Sequence, residues 1–119
     1  MADPLAIVIR TENHDGCTVL SVRGEIDLAT APALQDAVDG VLAGHPPALV
    51  LDLSEVDFLG SVGMTILVSA HEALGRSDRF AVVAEGPGTS RPLQLTKLDE
   101  IIPIFRTLSD AVAAVRVEG

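Results

Sequence analysis

The chain has 119 residues, nearly half of them apolar (48%), with a formal net charge of −9 from eight cationic and seventeen acidic residues. That length fits one domain with a real hydrophobic core. The charge leaves no basic stripe for a phosphate backbone or an anionic membrane, and the absence of Trp and Tyr removes the stacking platform that single-stranded nucleic acid needs.

In chain order, Leu5 to Arg10 is an apolar run that reads as a strand, and Asn13, His14, Asp15 and Gly16 supply turn chemistry. Cys17 to Arg23 alternates and reads as a second strand, so the two form an antiparallel hairpin with Cys17 buried. Thr30 is placed to cap a helix whose first turn carries Pro32 and whose apolar face is Leu34, Val38, Val41 and Leu42. Gly44, Pro46 and Pro47 end it.

Ala48 to Leu53 reads as a buried strand and Ser54 to Gly60 as a connector. A second helix is expected from Ser61 to Leu74, with Gly75 as its stop. Phe80 to Ala84 is the next buried strand, and Gly86, Pro87 and Gly88 form a loop. Ser90 and Pro92 open a short helix carrying Leu95 and Leu98. Ile101 to Phe105 is a short last strand that Pro103 places at an edge. Thr107 to Asp110 resembles a capping box ahead of a final helix bearing Leu108, Ala111, Val112 and Val115. Strands alternating with helices after a hairpin predict an α/β fold with a central, mostly parallel sheet. In such sheets functional groups gather where strands deliver the chain to helix starts. Here those places are Gly24 to Thr30 and Asp52 to Gly63.

The second place is the more informative. Gly60 and Gly63 leave little bulk around Ser61, so its hydroxyl is expected to be accessible, beside backbone amides that accommodate a phosphate. Serine there is also a favoured N-cap, worth about 1 kcal/mol, and the local pattern alone does not separate that role from a functional one. Phe58 and Leu59 are apolar in a connector where polar residues are usual. Met64, just inside the helix, has the flexibility of a partner-binding side chain. Asp27 stands where an Asp often satisfies loop amides, and Asp52 with Ser54 where a strand turns.

The stretches Gly24-Glu-Ile-Asp27 with Thr30 and Ala31, Asp52-Leu-Ser54, and Phe58-Leu-Gly-Ser61-Val-Gly63-Met64 resemble the anti-sigma factor antagonists, or anti-anti-sigma factors, of the STAS-domain class. The likeness runs over nearly the whole chain, in order. It implies a STAS-like single domain over residues 1–119, with a mostly parallel mixed sheet of four to five strands, an N-terminal hairpin and about four helices. It further implies binding to an anti-sigma factor, often a serine kinase, which frees a sigma factor. Phosphorylation of Ser61 by that kinase would break the complex, and a phosphatase would restore it. The expected partner surface comprises Asp27, Thr30, Phe58, Leu59, Gly60, Ser61, Val62, Gly63 and Met64. This chain departs from the commonest pattern, an acid before the serine and a second hydroxyl after it: Gly60 and Val62 stand there.

Other chemistries fit poorly. A receiver-type phospho-acceptor at Asp52 needs Mg²⁺-binding carboxylates after the first strand, where Ile9, Arg10 and Thr11 stand, and a lysine after Phe80 to Ala84, where Glu85 stands. His14, His45 and His71 lack metal-ligand spacing, and Ser61 lacks the Gly-x-Ser-x-Gly elbow of a hydrolase because Leu59 occupies the first glycine position. No Gly-rich loop followed by Lys marks a nucleotide site. The reading is therefore a cytoplasmic, non-enzymatic binding protein without cofactor, metal, nucleic-acid or membrane partner. The alternative role is a STAS-domain adaptor in another signalling or transport complex.

Overall fold

The hairpin sets the sheet: β1 (Val8–His14) pairs antiparallel with β2 (Cys17–Ile26), from Val8 opposite Arg23 to His14 opposite Cys17. The computed structural model describes residues 7–14, 16–75 and 79–115, so the start of the expected first strand, Leu5 and Ala6, lies outside them. β1 persists to His14, beyond the expected Arg10, because backbone pairing with β2 carries the edge strand through the polar residues Thr11 to His14. Arg10 and His14 both approach Glu12 there, at 3.8 and 3.3 Å.

The other strands follow in sheet order β1-β2-β3-β4-β5, all parallel beyond the hairpin. They are β3 (Ala48–Leu59), β4 (Phe80–Val83) and β5 (Ile104–Phe105). Helix α1 (Ala31–Ala43) joins β2 to β3, and α2 (Ser61–Leu74) joins β3 to β4. A two-turn α3 (Ser90–Leu95), a 3-10 turn (Leu98–Glu100) and α4 (Leu108–Val115) complete the described chain. Strand alternation divides the core by residue size. Leu49, Leu51, Phe80 and Val82 face α1 and α2, while Ala48, Val50, Ala81 and Val83 face α4 with Ala111 and Val115.

Three expectations needed correction. The segment read as a connector, Ser54 to Gly60, is mostly strand, because β2 runs on to Ile26 and keeps β3 paired as far as Leu59. Register shifts interrupt the alternation, so the buried residues Leu53, Val56 and Leu59 recur every third position, which is not a strand signature. In α3 the anchor is Leu93, fully buried one turn after buried Thr89, whereas Leu95 is 73% exposed. The last strand shrinks to Ile104–Phe105, although the carbonyl of Pro103 still accepts from the Val82 amide at 3.0 Å. The capping expectation at α4 holds: Thr107 Oγ1 accepts from the Asp110 amide at 3.1 Å.

Cys17 is fully buried, as expected, and burial pushes its thiol up from 9.0 to about 11, against a smaller opposing hydrogen bond with the Val50 backbone. The thiol ionises earlier in the unfolded chain than in the folded one. Its contribution to stability is therefore complete below about 9 and is lost as the pH climbs toward about 11. The native protein is expected to resist a thiol reagent at neutral pH and to react once urea unfolds it, which a mass-resolved alkylation course will read.

Candidate functional site

β3 delivers the chain to α2 through a single residue. Gly60, at φ −81° and ψ 173°, is the cap of α2, and its carbonyl accepts from the Gly63 and Met64 amides at 3.0 and 3.2 Å. Ser61 is therefore the first helical residue rather than the N-cap that its position allowed. Its Oγ is not used in capping, and it is exposed with no hydrogen-bond partner among the described residues.

The loop after β2 meets this junction directly, because the Gly60 amide donates to the Ile26 carbonyl at 2.9 Å. Asp27 closes that loop: its Oδ1 accepts from the Ala29 and Thr30 amides at 2.9 and 3.1 Å. Thr30 Oγ1 donates to the Glu25 carbonyl at 2.7 Å and accepts from the Asp27 amide at 3.0 Å. Thr30 is 6% exposed, so it holds the loop from below and does not line the surface. Thr30→Val keeps the shape but strands both backbone groups. It should lower folding stability by about 1–3 kcal/mol in urea denaturation.

Leu59 and Gly63, expected on the surface, also lie beneath it. Leu59 is 2% exposed, and a Cβ on Gly63 would stand 2.6 Å from both Leu59 Cδ1 and Ile26 Cγ2. Gly63 thus permits α2 to start directly on the two strand ends. Gly88 has the same kind of role from the other side. Its carbonyl accepts from the Leu59 amide at 3.0 Å, and a Cβ there would collide with the Asp57 carbonyl. What remains at the surface around Ser61 is Phe58, 48% exposed, with half-buried Val62, Met64, Gly60 and Asp27. Met64 Sδ lies 3.6 Å from Thr96 Oγ1, which ties the first turn of α2 to the end of α3.

One residue was missed in the sequence. Leu28, between Asp27 and Ala29, is 83% exposed. With Pro32 on α1 and Val62, Thr65 and Ile66 on α2 it lines a shallow, mainly apolar depression of about 360 Å³. The charge pattern around it also went unread: Gly24 to Gly75 holds eight carboxylates and no Lys or Arg, an asymmetry that the net charge averages away. A second depression, about 390 Å³, lies at the ends of β4 and β5. It carries both charge signs in Glu85, Asp99 and Arg106, and includes no residue of the β3–α2 junction. Asp52 spends its Oδ1 on the Ser54 amide at 3.0 Å, within the irregular part of β3. Among the described residues there is no cluster of three metal-ligating side chains, and no helix is long and apolar enough to cross a membrane.

The STAS domain family model matches residues 8–111. The chain is 49% identical over 116 residues to the anti-sigma-F factor antagonist RsfB of Mycobacterium tuberculosis, covering 98% of this chain and 95% of that protein. It is 29% identical over 101 residues to the anti-sigma-B factor antagonist of Listeria monocytogenes, covering 84% of this chain and 88% of that protein. Among solved structures, that of an anti-sigma factor antagonist from Mycobacterium paratuberculosis matches with a TM-score of 0.91 at 53% identity, covering 98% of this chain and all of that one.

Proposed function

Because the chain belongs to the STAS domain family, we propose that it is an anti-sigma factor antagonist, binding an anti-sigma factor through the surface around Ser61 and thereby releasing a sigma factor. The observation that carries the reading is the Ser61 hydroxyl: exposed, uncommitted, at the first turn of α2, and beside the exposed apolar side chain of Phe58. The protein acts in the cytoplasm as a regulator and not as an enzyme. Its contact set is Phe58, Gly60, Ser61, Val62, Met64 and the outward part of Asp27, carried by buried Thr30, Leu59 and Gly63.

Phosphorylation of Ser61 by the anti-sigma factor turns binding off, and a phosphatase turns it on again. A phosphate adds roughly −1.5 to −2 charge. On the free protein, water and the α2 amides solvate it. In the complex it would be pressed between Phe58, Val62 and the partner, where burying an unpaired charge is strongly unfavourable. Gly60 fits this arrangement in place of an acid: a Cβ there would stand 3.2 Å from the Ile26 carbonyl and 3.3 Å from the Phe58 ring, so a larger residue must move that ring. Val62 is half-buried against α1, where an apolar side chain suits the site better than a hydroxyl.

Titration calorimetry against the anti-sigma-F factor of M. tuberculosis tests the reading. The expected result is a saturable complex and, on adding ATP, one phosphate located at Ser61 by mass spectrometry. No binding would overturn the function, and a phosphate at another residue would overturn the switch.

A further inference from the structure

We infer that the depression between α1 and α2 receives an apolar side chain projecting from a basic surface of the anti-sigma factor, with Leu28 as this chain's anchor in that contact. This rests on the function proposed above and specifies the partner's chemistry.

Leu28 is the most exposed of the exposed large hydrophobic residues, yet it is not on a loose loop. The hydrogen bonds from Ala29 and Thr30 to Asp27 Oδ1 close the turn that carries it, and Thr30 pins that turn to Glu25. A large apolar side chain held outward by a closed turn is pre-organised, so little freedom is lost when a partner covers it. Across the depression, Val62 and Ile66 supply the opposite apolar wall. Val62 directly follows Ser61 and Leu28 directly follows Asp27, so the depression begins one residue away from the serine site on both the helix and the loop.

Charge selects the occupant. The elements on both sides come from the segment with eight carboxylates and no Lys or Arg. Exposed Glu25 and Asp57 flank the strand ends, exposed Asp36 follows the groove-lining Gln35, and Gln35 Nε2 donates to Asp39 Oδ1 at 2.9 Å. A second copy of this chain would bring like charges together, and an anionic lipid surface would be repelled. An apolar side chain ringed by Lys or Arg satisfies both the depression and its rim.

The test compares wild type, Leu28→Ser and Val8→Ser against the anti-sigma-F factor of M. tuberculosis, by calorimetry and by stopped-flow association at about 50 and about 500 mM salt. Val8, on edge strand β1 and 51% exposed, controls for loss of any surface aliphatic. Equal thermal midpoints will show that all three chains fold. The expected result is roughly thirtyfold weaker binding for Leu28→Ser, a change within about twofold for Val8→Ser, and wild-type association at least about fivefold slower at high salt. Tight wild-type binding with Leu28→Ser within about twofold of it would overturn the anchor and leave the function intact. Salt-independent association would overturn the basic character of the occupant. A wild-type chain that does not bind would overturn the function and this contact together.

Discussion

Ser61→Glu is expected to bind the anti-sigma factor at least about a hundredfold more weakly than wild type, while Ser61→Ala stays within about threefold. A carboxylate at this position enters the complex beside Phe58 and Val62, at the head of a helix in a segment, Gly24 to Gly75, that carries no Lys or Arg. Leaving one charge buried without a partner costs about 3–5 kcal/mol, which is a hundredfold or more in affinity. Desolvation dominates here, not long-range repulsion. The surface is already acidic, and a basic partner would welcome one more negative charge if water could stay around it. Ser61→Ala removes a hydroxyl with no hydrogen-bond partner among the described residues, so nothing is stranded. The same variant checks the helix geometry. An N-cap serine replaced by alanine costs about 1 kcal/mol, whereas a residue at the first helical position has no cap to lose. Ser61→Ala should therefore melt with wild type, and equal affinity of the Ala and Glu variants would contradict the switch.

Gly88→Ala is expected to destabilise the fold by about 2–4 kcal/mol and to lower the thermal midpoint by roughly 10 °C or more. The added Cβ collides with backbone, the Asp57 carbonyl, and no rotamer relieves it. Either the Gly86–Thr89 loop or the end of β3 must move, with loss of the 3.0 Å bond from the Leu59 amide to the Gly88 carbonyl. Gly63→Ala is the informative contrast. Its Cβ meets side chains rather than backbone, Ile26 Cγ2 and Leu59 Cδ1 at 2.6 Å and Ile26 Cβ at 3.5 Å, so repacking can absorb part of the clash and the stability loss should be smaller. Urea denaturation of both variants reads the difference. A Gly88→Ala loss below about 0.5 kcal/mol would mean that the loop does not support β3 in this way.

The helices were readable because their signals are local. Leu34, Val38, Val41 and Leu42 lie at helical spacing, and Gly75 stops α2 with a left-handed φ of +72° that glycine adopts without strain. The last six residues of β3 were not readable, because two register shifts against β2, each with an extra residue in β3, replace alternation with every-third-residue burial at Leu53, Val56 and Leu59. At the site, the accessibility of Ser61 was legible from its small neighbours. The reason given for one of those glycines was not: Gly63 serves packing beneath the helix, a tertiary requirement. Thr30 does occupy the N-cap position of α1, but its hydroxyl caps no helix amide and instead bonds Glu25 and Asp27, partners fixed only once the loop has closed. Leu28 escaped notice because composition does not say which side of a turn faces water.

Displacement of a sigma factor is the most direct measurement of what the protein does. A fluorescently labelled sigma factor held by its anti-sigma factor is titrated with this chain, once unmodified and once carrying phosphate on Ser61, and anisotropy is followed. The unmodified chain should free the sigma factor in proportion to the amount added, and the phosphorylated chain should free almost none. Equal release by the two forms, or none by either, would contradict a protein whose output is set at that one hydroxyl.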